Sequence, residues 1–418
     1  MSFLDQIIGN DKVRNELEII CNMLHYPEHY ASSKSNHPNG ILLYGETGVG
    51  KTFAANALIK ELGWTSYIVH QDRSIEMFLN HLKDTFLSAA ETTPSIILIE
   101  NIDKLLQASE SSESLVVLEG CFDCLNDKDV LVIATAEAID TIPDSILRSG
   151  RLGLKFELYI PTYEEIVKIV EGYLSAPQFD QNIDSSDVAQ MLLFFSVAEI
   201  KEVFNQAAVY AGYERANKIS MNHIIRAFLL CEYNCIYDGS SIPDLHDEDL
   251  DLVFEKKLYH ESGHLVVLEL MAPGGVGLAY TYPGDIGFVK RSCLFESFEQ
   301  EIIFRLAGMA AEEIQFGSVS EGNDSDIECA LSELKTAAVK KAVFGGNYLS
   351  PLEDKISPFQ LSYQEIAIKH EYNSYLTATK QMLIENRKFL DAVVKELRQR
   401  HILLNSDVQR IVGQISSS

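Results

Sequence analysis

The stretch that most limits what this chain can become is Gly45 to Thr52, GETGVGKT, set between a short β-rich run, ILLY, and a helical pattern, TFAANALIKEL. Gly45, Gly48 and Gly50 let backbone N–H groups turn inward around phosphate oxygens. Lys51 brings a point charge to the outer phosphates, and the Thr52 hydroxyl can hold Mg2+. The helix that follows presents its N-terminus to the same anion. The expected nucleotide-binding residues are therefore Gly45, Glu46, Thr47, Gly48, Val49, Gly50, Lys51 and Thr52, with ATP and Mg2+ as ligands. Around the loop, from Gly40 to about Tyr159, the runs ILLY, SYIV, SIILI, VLVIAT and KFELYI alternate with helical segments. That alternation predicts a parallel sheet flanked by helices, an α/β nucleotide-binding unit over residues 1–162.

From 163 to 236 the pattern turns wholly helical, as in EEIVKIVEGYL, SVAEIKEVFNQAAVYA and NHIIRAFLLCEY, and predicts a small helical lid. Residues 237–251 contain DGSSIPDLHDEDLD, which has little periodicity and reads as a linker. Beyond it, 252–418 is mostly helical, with long amphipathic segments at Phe298 to Phe316, Asp326 to Phe344 and Tyr363 to Arg400.

Composition removes several function classes. The chain has 418 residues, enough for two or three domains, and its 46% hydrophobic content supports real cores. A net charge of −27 would repel nucleic acid and anionic lipid, so neither is an expected partner. No apolar run approaches the roughly 20 residues that a bilayer requires. The opening MSFLDQIIGNDKVRNELE lacks the basic and apolar regions of an export signal, so a soluble, cytoplasmic protein without direct membrane insertion is expected. Seven scattered cysteines fit a reducing compartment, and the lone CxxC of Cys121 and Cys124 reads as packing.

A second chemical signature stands at His260 to His264, HESGH, inside KKLYHESGHLVVLEL. Histidines four apart share one helix face and can bind a single Zn2+, and Glu261 beside them is placed to act as general base. The apolar flank LVVLEL argues for a buried active-site helix. A third protein ligand is needed to leave one position open for water.

With GETGVGKT, SIILIENID, ILRSGR and HESGH in this order, the chain resembles the FtsH family of AAA+ zinc proteases from about residue 3 to residue 412, without that family's N-terminal membrane segment. The resemblance implies a P-loop AAA+ α/β core with a helical lid, followed by a mainly α-helical zinc metallopeptidase domain. It implies a ring, a homo-hexamer, that unfolds protein or peptide substrates with ATP and degrades them. Asp326, in EGNDSDIECA, matches the family's third zinc ligand; Asp324 and Glu312 are the alternatives. Arg148 and Arg151 resemble arginine fingers reaching a neighbouring subunit's nucleotide, or else are charges capping a turn. Phe78, in SIEMFLN, resembles the aromatic that grips substrate in the pore, or else is an amphipathic-helix core residue. Val197 and Ala198 stand where the family has its Gly-Ala sensor pair, and receive no catalytic role.

The chain departs from the family where ATP is hydrolysed. The Asp and Glu that should close the SIILI strand are Glu100 and Asn101, and an amide cannot take a proton. The neighbouring strand, VLVIATA, ends on Glu137 where the family has an Asn. Either Glu137 polarises the attacking water while Asn101 orients it, or both roles are lost. The expected function is a soluble ATP-dependent zinc endopeptidase. The alternatives are a nucleotide-gated peptidase with slow or absent ATP hydrolysis and a non-proteolytic remodelling module.

Overall fold

A computed structural model describes residues 2–30, 38–69, 75–108, 112–237, 248–284, 286–320, 324–340 and 358–417. Most of the expected 237–251 linker lies outside them. Along the chain come α1 (Asp11–His25), α2 (Pro27–Tyr30), β1 (Gly40–Tyr44), α3 (Lys51–Leu62), β2 (Thr65–Val69), α4 (Ile75–Glu91), β3 (Ser95–Ile99), α5 (Ile102–Ala108), α6 (Ser112–Asp123), β4 (Val130–Ala136), β5 (Leu154–Glu157), α7 (Tyr163–Leu174), α8 (Ser185–Met191), α9 (Val197–Tyr213) and α10 (Met221–Tyr233). Then follow α11 (Glu248–Met271), β6 (Val276–Thr281), β7 (Gly287–Arg291), α12 (Phe298–Arg305), α13 (Ala307–Phe316), α14 (Asp324–Lys340), α15 (Pro358–Glu385), α16 (Arg387–Arg400), β8 (Ile402–Leu404) and α17 (Asn405–Ser416).

These elements form two compact units, Met1–Asp180 with Phe194–Ala227, and Gln181–Leu193 with Phe228–Ser418. The first holds the predicted parallel sheet, in the order β2-β3-β4-β1-β5. Every residue of SIILI and VLVIATA is buried, as a central strand covered on both faces requires. The period of two then sorts the side chains. Leu42, Ile97, Ile99, Val132 and Ala134 join the core under α4 and α6, while Ile41, Leu43, Ile96, Leu98 and Ile133 face α1 and α3. Each such fully buried Leu or Ile contributes roughly 1.5–3 kcal/mol. Helices α7 and α9 each begin with a capping box, Thr162 with Glu165 and Ser196 with Glu199, which fixes where they start.

The second unit is built on α11, whose Leu265, Val266, Val267 and Leu268 are all fully buried. A helix apolar on every side belongs inside a domain. Gly263 lets α13 come close, since a Cβ there would lie 2.5 Å from the Ala307 carbonyl oxygen. Three findings refine the sequence reading. A three-stranded antiparallel sheet, β7-β6-β8, accompanies the helices. The expected helix Phe298 to Phe316 breaks at Leu306 into α12 and α13, and the expected helix Tyr363 to Arg400 breaks at Asn386 into α15 and α16. No described helix is long and apolar enough to cross a membrane.

Candidate active site

The buried α11 carries HESGH at its centre, and the helix period puts both histidines on one face. The His260 and His264 Nε2 atoms are 3.1 Å apart, and Asp326 Oδ2, from the first turn of α14, lies 3.3 and 3.2 Å from them. Ligand atoms about 2.0–2.1 Å from a tetrahedral zinc stand about 3.4 Å from one another, so this triangle fits Zn2+ and leaves a fourth position. Asp324 is exposed and outside the triangle. Glu312, the other alternative, stands behind the site. Its Oε1 is 2.9 Å from His260 Nδ1, while its Oε2 accepts from the Ser320 N–H and hydroxyl at 2.8 and 2.7 Å. His264 Nδ1 is 2.8 Å from the Phe304 carbonyl oxygen. With Nδ1–H donated on both rings, both Nε2 lone pairs are left for a metal.

The carboxylates around the two imidazoles favour positive charge at them. Burial would push His260 down, but its bonds to Asp326 and Glu312 outweigh that and hold its pKa up at about 10. Despite burial, Asp326 is held well below the usual carboxylate range by the two imidazoles. Glu261 is 6% exposed, and burial pushes its carboxyl up against the pull of His260 and His264. Two glycines make the room. A Cβ at Gly308 would collide with the His260 ring, and one at Gly287 would lie 2.7 Å from Glu261 Oε1. The cleft in front measures about 830 Å3, with Leu252, Val253, Ile286 and Phe288 among its walls. Strand β7 beside it is the edge of its sheet.

In the other unit, the loop between β1 and α3 takes the conformation its glycines permit. Gly45 has φ +136°, and a Cβ there would collide with the Leu158 carbonyl. Lys51 is buried, and its Nζ donates to the Gly45 and Glu46 carbonyls at 2.7 and 2.6 Å. Burial lowers its pKa, and Glu137 and Asp103 partly restore it. Beside Gly48 and Gly50 opens an apolar pocket of about 610 Å3, with Ile7, Ile8, Phe53, Tyr173 and Ala198 in its walls, which suits a flat base. Sequence reasoning did not find this pocket, because its residues are spread from Gln6 to Lys201. The Ala198 N–H donates to the Gly48 carbonyl at 3.1 Å, giving the Val197-Ala198 pair a part in holding the loop.

Strands β3 and β4 are neighbours, with Ile99 opposite Ala134, so Glu100, Asn101 and Glu137 emerge side by side. Asn101 has φ +51°, and its backbone N–H donates to Thr135 Oγ1 at 3.0 Å. Buried Asp103 accepts the Glu137 and Ala138 N–H groups on Oδ2, at 2.8 and 3.3 Å. The Glu137 carboxylate pairs with Lys104 Nζ at 2.6 Å, with the Thr47 side chain near it. These two groups, Lys104 first, keep its carboxyl below the ordinary range.

Comparisons with known proteins span both units. Residues 41–159 match the family described as "ATPase family associated with various cellular activities (AAA)". The chain is 25% identical over 440 residues to an ATP-dependent zinc metalloprotease FtsH of Lachnoclostridium phytofermentans, covering 98% of this chain and 74% of the relative. The chain is FtsH-like over almost its whole length. FtsH proteins of Helicobacter pylori strain J99, 24% identical over 99% of this chain and 71% of theirs, and of Nitrosococcus oceani, 26% identical over 98% and 69%, match in the same way.

Two residues sit differently from what FtsH resemblance implied. Phe78 is 6% exposed in the core of Leu79, Leu82, Phe86 and Phe122, so its ring is not presented to a substrate. Arg151 is buried and held within its own chain by the Ser145 carbonyl at 3.0 Å, Asp123 at 3.0 Å and Glu119 at 3.3 Å. Reaching a neighbouring subunit would break all three contacts. Arg148 is exposed and keeps that option.

Proposed function

We propose that this FtsH-type chain is an ATP-dependent zinc metalloendopeptidase that acts on proteins as a soluble, cytoplasmic homo-hexameric ring. The observation that carries the reading is the triangle of His260, His264 and Asp326 with buried Glu261 beside it. Zinc held by those three residues would lower the pKa of its water and polarise the scissile carbonyl. Glu261 takes the proton from that water and delivers it to the departing amine nitrogen. Glu312 and the Phe304 carbonyl hold the two imidazoles in register. Strand β7, at the edge of its sheet and beside the cleft, gives an extended peptide a strand to lie along, presenting its carbonyl to the cleft. The division into a nucleotide-binding unit, a helical lid over 163–236 and a peptidase domain from 252 belongs to the same proposal, as does Arg148 as the residue reaching the next subunit.

Purified protein should contain about one zinc per chain and cut an unfolded protein such as casein. Glu261→Gln should keep the zinc and lose at least about a hundredfold in rate, the usual size of a general-base contribution. Equal cleavage by Glu261→Gln, or a zinc-free active protein, would overturn the reading.

On the nucleotide side, we infer that Glu137 polarises the attacking water and Asn101 orients it, with Thr52 and Glu100 toward Mg2+. The emergence of Asn101 and Glu137 side by side from neighbouring strands supports this. ATP turnover should collapse in Glu137→Gln and weaken in Asn101→Ala; a wild-type rate in Glu137→Gln would leave a nucleotide-gated peptidase instead.

A further inference from the structure

We propose that Lys104 is a positioning residue for ATP hydrolysis: it clamps the Glu137 carboxylate over the phosphate loop and offsets its repulsion from the terminal phosphate. The inference rests on the reading of Glu137 as the base. Its own observation is the 2.6 Å ion pair between Lys104 Nζ and Glu137 Oε1, across 33 residues of sequence.

Two contacts fix Glu137: its backbone N–H is held by buried Asp103 at 2.8 Å, and its carboxylate pairs with Lys104 at 2.6 Å. Asp103 and Lys104 are consecutive on the first turn of α5, so one helix end sets both the backbone and the side chain of Glu137. Lys51, on α3, is a second cation that pulls on the carboxylate.

Electrostatics explains why such a clamp is needed here. A carboxylate beside a triphosphate feels like-charge repulsion, which would swing a free glutamate away from the reacting phosphorus. Lys104 is 53% exposed and Glu137 35%, so as a surface ion pair the contact adds little to folding. Its value lies in orientation. In the step itself, the water oxygen bonds to the γ-phosphorus as Glu137 takes the water proton. The bond from that phosphorus to the β–γ bridging oxygen breaks, ADP and phosphate leave, and the proton passes from Glu137 to the released phosphate.

Steady-state ATPase assays and nucleotide-binding titrations on the full chain test this with Lys104→Met, Lys104→Arg, Glu137→Gln and the double variant Glu137→Gln with Lys104→Met. Lys104→Met should lower kcat by about tenfold or more while changing the Kd for ATP by less than about threefold, Lys104→Arg should recover most of the loss, and the melting temperature should not move. In the double variant the rate should be no lower than in Glu137→Gln alone, because Lys104 acts only through Glu137. Wild-type kcat in Lys104→Met beside an impaired Glu137→Gln overturns the role of Lys104 and leaves Glu137 in place. So do losses that multiply in the double variant, or a Lys104→Met defect confined to ATP binding. A wild-type rate in Glu137→Gln, or no turnover in the unaltered protein, removes the base itself and Lys104 with it.

Discussion

At position 308 a glycine is present because the His260 ring occupies the space a side chain would need. Gly308→Ala should therefore tilt the imidazole off the zinc triangle, and Glu312→Gln should leave its orientation without an anion. Outer-shell changes of this kind cost about 10- to 100-fold in metal affinity, and competition titration with a chromophoric chelator should show such a loss for both variants. Unchanged zinc affinity in both would mean that neither residue orients the ligand. At this scale the histidine pair and Glu261 were legible in the sequence, because their spacing is local to one helix turn. Asp326 was legible only through resemblance. Glu312 entered as a competing ligand, since it lies 52 residues from His260 and only the packing of α13 on α11 reveals that it faces Nδ1 and not the metal. Phe78 and Arg151 were ambiguous for a related reason: a sequence gives residue types at a helix or turn, while burial decides whether they can reach a partner.

Among the elements, α8 makes the clearest case of tertiary context. Its Asp187 accepts the Ser406 N–H at 2.9 Å and the Ser406 hydroxyl at 2.6 Å, tying α8 to the start of α17 within one unit. Asp187→Ala leaves those donors unpaired and should destabilise that unit by about 1–3 kcal/mol in denaturant unfolding. Asp187→Asn retains one acceptor oxygen and should lose less. Burial raises the Asp187 carboxyl above 3.8 in the folded protein, more than its bonds to Ser406 lower it. The folded state thus binds the proton more tightly, so this group's contribution falls as pH rises from about 4 through the raised value. The Asn variant should lack that slope, and an identical pH dependence in both proteins would contradict the assignment. Central strands β3 and β4 were legible because unbroken β-branched and apolar runs admit few other fates. The sheet β7-β6-β8 was not: VGLAYT, although set off from α11 by Ala272-Pro273-Gly274-Gly275, is buried throughout and shows no polar–apolar alternation, and β8 is only three residues long. The breaks at Leu306 and Asn386 were hidden because neither carries a proline or glycine.

For the molecule as a whole, two chemistries lie in two compact units, and the chain passes between the units more than once, at Gln181, Phe194 and Phe228. The linear division at 236 and 252 could not anticipate that Gln181–Leu193 groups with the C-terminal unit, since nothing local to that segment announces its packing on β6. The proposed coupling is that nucleotide turnover in one unit drives proteolysis in the other. Its most direct test is the degradation rate of a stably folded protein and of an unfolded one, each with ATP, with a non-hydrolysable analogue and with no nucleotide, using Glu261→Gln as the blank. The folded substrate should disappear only with ATP, the unfolded one should be cut fastest with ATP, and the blank should be inert throughout. Degradation of the folded substrate at the same rate without ATP, or by the Glu261→Gln protein, would contradict it.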